Sequence, residues 1–206
     1  MRILCFGDSN TWGFIPGSNH LRFSERWTKK LKQYLGNDFE IIEEGLCSRT
    51  FCTDYVDKIG RNGFSYFVPC VYSHDKLDCI VLMLGTNDLK NTFGYSPKDI
   101  VNMLKKYVEF IFSFKSKIDN STPKLIVCGT PPINNIFLID STNPFYNANK
   151  KNIILNNEMK IYCQENNICF VDNSDLICGK DNIHLTQESH NKLALKLTKI
   201  ISQLKN

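Results

Sequence analysis

Long apolar runs are missing from this sequence. The longest, residues 79–84, falls far short of the roughly 20 residues that span a bilayer, so no membrane partner is expected. Paired metal-type cysteines are missing too. The nine cysteines are odd in number and no two are spaced Cys-x-x-Cys. A zinc site or disulfide framework is therefore not expected, and a reducing cytoplasm is the natural setting. No block of one charge sign exists. The 25 basic and 21 acidic residues leave +4, spread over helix-like segments. Solvated faces are expected, and no nucleic-acid partner. Internal repeats and low-complexity tracts are absent. Before Gly7-Asp8 only residues 3–6 are apolar, too short for the core of a signal peptide, so none is expected. At 42% hydrophobic and 206 residues, the chain suits one globular domain over residues 1–206, with a core that needs no staples.

What is present is an alternation. Apolar runs at 3–6, 39–42, 77–84, 124–128 and 168–171 are rich in Ile, Val, Phe and Cys and do not alternate with polar residues. Such runs suit strands covered on both faces. Cys5, Cys79, Cys128 and Cys169 fall inside them and are expected to be buried. Helical patterns lie between. Residues 27–35 place Trp27, Leu31, Tyr34 and Leu35 on one face. Residues 96–117 open with Ser96 as N-cap, Pro97 and Asp99. They present Ile100, Met103, Leu104, Tyr107, Val108 and Ile111. In 150–164, Ile153, Ile154, Met159 and Ile161 are the expected apolar face. In 186–204 it is Leu193, Leu195, Leu197, Ile200, Ile201 and Leu204. The alternation predicts an α/β fold, a flavodoxin-like three-layer α/β/α sandwich. Its five-stranded parallel sheet has order 2-1-3-4-5, with sites at the carboxyl ends of the strands. An irregular insert at 129–149 interrupts the pattern.

Three short segments fall at those carboxyl ends. Gly7-Asp8-Ser9-Asn10 follows the first strand. Gly7 would relieve crowding, a helix N-terminus would add positive potential at Ser9, and Asp8 would fix the turn. Gly85-Thr86-Asn87-Asp88 ends the third strand and offers the Asn87 amide as a donor. Asp181-Asn182-Ile183-His184 precedes the last helix, where an Asp three residues before a His can fix the imidazole tautomer. Each alone reads as an ordinary turn or surface pair. Their convergence on one sheet edge makes Ser9, Asp181 and His184 a candidate triad. A Gly-x-Ser-x-Gly elbow is missing, which excludes the common α/β-hydrolase arrangement.

These segments resemble the blocks of the SGNH hydrolases, the GDSL esterase/lipase family, and most nearly an arylesterase/acyltransferase branch. Further likeness lies in Thr11-Trp12-Gly13, Arg26-Trp27-Thr28 and Ile42-Glu43-Glu44-Gly45-Leu46. The resemblance implies a serine esterase of small, short-acyl esters that works through an acyl-enzyme, with transfer to other alcohols where water is excluded. It implies Ser9 as nucleophile, with Asp181 and His184 completing the triad. The oxyanion hole would be the N–H groups of Ser9 and Ser48 and the amide of Asn87, Ser48 standing where the family usually has glycine. It implies no metal and no organic cofactor. Asn10, Trp12, Phe14, Cys47, Lys90 and Ile183 resemble substrate-lining positions.

The bland readings stand beside these. Trp12 and Phe14 could simply pack the first helix, and Cys47 lacks a base to activate it. His20, His74 and His190 lie outside every block and are expected at or near the surface. Two rivals remain, a carbohydrate O-acetylesterase with an open polar cleft, and a flavodoxin-like module for a phosphate-bearing ligand. Asp8 argues against the second. The insert's apolar groups, Ile136-Phe137-Leu138-Ile139 and Pro144-Phe145-Tyr146, suggest a homo-oligomer whose inserts narrow access to Ser9.

Overall fold

The computed structural model describes residues 1–134 and 140–204. Five parallel strands form one sheet: β1 (Arg2–Gly7), β2 (Glu40–Gly45), β3 (Cys79–Met83), β4 (Lys124–Cys128) and β5 (Cys169–Val171), in the order β2-β1-β3-β4-β5. Successive side chains point to opposite faces of a strand. On β1, Leu4 and Phe6 enter one apolar cluster while Ile3 and Cys5 enter the other. Both faces are covered, so the central strands have no polar face. The first cluster is closed by α3 (Gly63–Ser73), α4 (Pro97–Ser113) and α5 (Ala148–Glu165). The second is closed by α2 (Trp27–Leu35) and α6 (Gln187–Gln203). This is the expected three-layer α/β/α sandwich.

Several local expectations need correction. Cys169 is exposed, because β5 is a short edge strand. Tyr34 lies at the margin of α2, 40% exposed, with its hydroxyl on Asn191. The α4 helix stops at Ser113, four residues early, because Phe114 leaves it in an extended conformation and buries its ring. Its start carries the full capping box of Ser96 and Asp99. On α5 the buried stripe is Ala148, Asn152, Leu155, Met159 and Cys163, while Ile153, Ile154 and Ile161 face outward. Asn152 belongs inside because its amide donates to the Pro131 carbonyl at 2.8 Å and its oxygen accepts from the Thr130 hydroxyl. On α6, Leu195 is exposed. His190 is fully buried, not near the surface. Its Nδ1 accepts from the Trp27 N–H at 3.3 Å, and burial with the nearby Arg26 charge pushes its pKa down to about 3.

Register positions the site. Gly7 lies level with Gly45 of β2 and Met83 of β3. The loops leaving β1, β2 and β3 therefore emerge together. From β1 the chain turns to β2 at one edge, and from β3 it proceeds toward β5 at the other. The gap between β1 and β3 is thus the topological switch point, where clefts form in open parallel sheets.

Candidate active site

The β1 exit is tight. A Cβ on Gly7 would stand 2.1 Å from Thr11 Oγ1 and 2.6 Å from the Met83 carbonyl oxygen. On Gly45 it would stand 2.2 Å from the Trp12 nitrogen. Both glycines let a one-turn helix, α1 (Ser9–Trp12), sit against the sheet edge. Asp8 caps it, its Oδ1 accepting the Asn10 N–H at 2.9 Å. A four-residue helix has little macrodipole, and the N–H groups of Asn10, Thr11 and Trp12 already donate to Asp8, so the positive potential expected at Ser9 reduces to its own N–H.

Ser9 is 6% exposed. Its Oγ lies 2.8 Å from His184 Nε2, and His184 Nδ1 lies 2.7 Å from Asp181 Oδ2. Asp181 also accepts the backbone N–H groups of Ile183 and His184 through Oδ1 and of Gly17 through Oδ2. Burial pushes the Asp181 carboxyl up, but the His184 side-chain and backbone hydrogen bonds outweigh it and hold the pKa at about 2. The carboxylate is therefore charged at neutral pH.

The loop bearing His184 is pinned from β1. Asn10 Oδ1 accepts the Leu185 N–H at 2.9 Å, and Asn10 Nδ2 donates to the Ile183 carbonyl at 3.3 Å. Phe14 packs on the imidazole with ring centroids 4.4 Å apart.

The opposite wall carries the donors. Ser48 has φ +66°, a left-handed backbone that favours glycine. Its loop is held by Arg49, which is 3% exposed and donates to the carbonyls of Gly7 and Glu44. The Arg49 guanidinium lies 4.1 Å from the Phe6 ring centroid. Asn87 Nδ2 donates to the Arg49 carbonyl at 3.1 Å. An amide has two N–H donors, so one is left for a ligand. Beneath the floor lie two buried carboxyls. Burial raises Asp8 to about 6 and Asp88 to about 7. The Asp88 oxygens accept the Phe51 N–H at 3.0 and 3.1 Å.

A cleft of about 340 Å³ joins Ser9, Ser48, Asn87 and His184. Of the six expected lining residues it takes four, Phe14, Cys47, Lys90 and Ile183. Asn10 is buried and pins the His184 loop instead. Trp12 lies outside the cleft, its ring 4.9 Å from His20 and beneath the Arg22 guanidinium at 5.2 Å. Burial raises the Cys47 thiol to about 11, so it is no ready nucleophile. Sequence reasoning missed His20, Lys58 and Arg61, which also line the cleft and which no motif marks, because loops deliver them. Thr86 of the Gly85-Thr86-Asn87-Asp88 segment and Phe145 of the insert expected to narrow access to Ser9 line it too. Phe145 of the insert is only 8% exposed and joins the protein's own core. Residues 136–139 lie outside the described residues.

Among the described residues one cluster, Glu44, Cys70 and His74, brings potential ligand atoms within 4.8 Å of one another. None of the three lines the cleft, and the chemistry at Ser9 does not call on them.

A hydroxyl, an imidazole and a carboxylate in sequence at the carboxyl edge of a parallel sheet define a serine-hydrolase class of site. Residues 3–197 match the GDSL-like lipase/acylhydrolase family, to which this chain belongs, and it is a carboxylic ester hydrolase. The flavodoxin-like binding module is thereby set aside. The chain is 33% identical to the aryl esterase of M. smegmatis, covering 98% of this chain and 99% of that one, with a TM-score of 0.89. The inhibitor-bound form of that enzyme superposes with a TM-score of 0.87 at 32% identity, over 98% and 99% of the two chains. A carbohydrate acetylesterase from Sinorhizobium meliloti is 31% identical, with the same coverage and a TM-score of 0.89. No curated protein matches the sequence.

Proposed function

We propose that this protein hydrolyses small, short-acyl carboxylic esters through an acyl-enzyme on Ser9. The observation that carries the reading is the unbroken relay from Ser9 Oγ through His184 to Asp181, at 2.8 and 2.7 Å. Ser9 Oγ attacks the ester carbonyl as its proton passes to His184 Nε2. Asp181 holds Nδ1 protonated and stabilises the imidazolium. The N–H groups of Ser9 and Ser48 and the free Asn87 donor receive the developing oxyanion. Collapse breaks the bond to the alcohol oxygen, which leaves with the proton from His184. Water then repeats the sequence on the acyl-enzyme and restores Ser9. Another alcohol can take its place, giving acyl transfer, since Phe14, Phe145 and Ile183 lend the cleft apolar walls. No step calls for a metal or organic cofactor.

The same polar and cationic lining supports a second reading, an O-acetylesterase of carbohydrate, in line with the Sinorhizobium relative. One continuous sheet with helices on both faces supports a single domain over residues 1–206. Nine free cysteines, whose thiols burial pushes up, are consistent with a reducing cytoplasm. Exposed Val56 and Ile59 on the loop beside the cleft support self-association.

A p-nitrophenyl ester series of increasing acyl length tests the reading. Wild type should prefer acetate to long chains. Ser9→Ala should remain folded, lose turnover and lose labelling by a fluorophosphonate. Undiminished labelling in Ser9→Ala would sink the nucleophile assignment.

A further inference from the structure

We propose that the esters taken by this cleft carry an anionic group, a carboxylate on either the acyl or the alcohol side, received by Lys58, Arg61 and Lys90. The inference rests on the esterase reading above and adds the charge of its substrate. Three cations line the cleft with Ser9 and His184, and among the described residues no carboxylate lines it.

Several cations elsewhere on the molecule pair with carboxylates. Arg22, Arg26 and Lys29 converge on Glu43, Arg2 pairs with Glu40, and Lys192 and Lys196 pair with Asp175. Among the described residues the three cleft cations form no ion pair with a carboxylate, although they share one cleft. Lys90 Nζ donates to the Tyr55 hydroxyl at 3.0 Å. Lys58 and Lys90 each lie 5.3 Å from the centroid of that one ring, so two like charges crowd a single aromatic. Burial, and then the Lys58 charge, push the Lys90 ammonium down to about 8. Arg61 donates from Nη1 to the Ile59 carbonyl at 2.9 Å, while its Nε is buried without an acceptor.

The nearby acids offset part of this charge from outside the lining: Asp8, Asp88 and Asp57 act on Lys90 through space, and ionised Asp181 pairs with His184. Asp8 and Asp88 are buried beneath the floor and already accept backbone N–H groups. Asp54 accepts from the Asn62 amide. Asp57 acts on Lys90 through space without pairing with it. Cations held together beside a nucleophile focus field lines into a low-dielectric cleft and raise the local concentration of anions. Phe14, Phe145 and Ile183 leave apolar wall for the carbon skeleton.

The test uses two matched ester pairs. p-Nitrophenyl hemisuccinate against its methyl ester places the charge on the acyl side. Acetoxybenzoate, acetylated at the para position, against its methyl ester places it on the alcohol side. Each kcat/KM is divided by the ester's own hydroxide-catalysed rate, which removes intrinsic reactivity. At low salt the anionic member of at least one pair should be preferred by about tenfold or more, within the roughly 10–10³ range of electrostatic steering. The pair that responds identifies the side. The preference should shrink toward parity near 1 M salt, where the Debye length is about 3 Å. Lys58→Glu should cut the ratio by about tenfold, and Arg61→Gln should cut it less. Turnover of the neutral members with no preference for the anionic ones in either pair would overturn the inference alone. So would a preference unmoved by salt and by Lys58→Glu. Absence of turnover with every ester would overturn the esterase reading and this inference together.

Discussion

Ser48 holds a left-handed backbone, φ +66°, that costs an L-residue about 1–2 kcal/mol. The strain is tolerated because Arg49 and Asn87 fix the loop from both sides. Glycine relieves the strain and keeps the N–H, though it also loosens the unfolded chain. Ser48→Gly is therefore expected to raise stability by no more than about 1 kcal/mol and to retain ester turnover, read by urea denaturation and kcat. A collapse of kcat would show that the hydroxyl itself takes part. Asn87 makes the complementary case. Under the proposed mechanism its role lies in the transition state, so Asn87→Ala should lower kcat by about 10²–10³ with a smaller change in KM. A change confined to KM would make Asn87 a ground-state binder. At this scale the sequence was most informative where function sits in a strand-end turn. Ser9 and Asn87 were readable there because register sets the ends of β1 and β3 side by side, and Asp181 and His184 because they stand three apart before a capped helix, their loop then pinned to β1 by Asn10. Asn10 and Trp12 were misread because a one-turn helix has no periodicity to reveal which side is buried. Lys58 and Arg61 were invisible because loop trajectories set their positions.

The turns that leave β1 and β3 bury Asp8 and Asp88, and this gives the site a pH signature in stability. Burial holds Asp88 near 7 and Asp8 near 6, against an ordinary 3.8. Between those values the folded state binds more protons than the unfolded chain. Stability from these groups is thus full below about pH 4 and is lost as pH rises through 6 to 7. Asp88→Asn keeps an acceptor for the Phe51 N–H and removes the charge. Its urea midpoint is expected to vary less between pH 4 and 7.5 than that of wild type, and an unchanged slope would exclude Asp88 as the source. The elements around these turns differed in legibility for physical reasons. The central strands were plain because both faces are apolar, and α4 was plain because its cap and stripe agree. The α3 helix was missed because Pro69 in its interior and apolar residues on every side obscure helical spacing. On α5 Met159 is buried as expected, but the outward Ile153, Ile154 and Ile161 were taken for its inner face because a hydrogen-bonded Asn152 replaces a hydrophobe in the buried stripe.

For the whole molecule the open matter is self-association, and the structure moves it to different residues. Phe145 closes the protein's own core, so Phe145→Asp would unfold the chain and report nothing about partners. Val56 and Ile59, in contrast, are 106% and 93% exposed, with Lys58 between them and Arg61 just beyond. Single exposed apolar residues are ordinary, but these two project from one loop that also delivers cleft cations. Their burial against a second copy would fix that loop. Light scattering of the wild-type protein at micromolar concentration is therefore expected to give a mass above 23.8 kDa. The double variant Val56→Ser with Ile59→Ser should return it to the monomer mass, since each replacement removes apolar surface that association would bury, at about 25 cal/mol per Å². The variant should stay folded, because neither side chain touches the core. With the loop released, preference for anionic over neutral esters should also decline, as Lys58 and Arg61 lose their fixed positions. A wild-type monomer at that concentration would defeat the assembly outright. An oligomer that survives the double substitution would place the interface elsewhere, with the outward isoleucines of α5 the next surface to test.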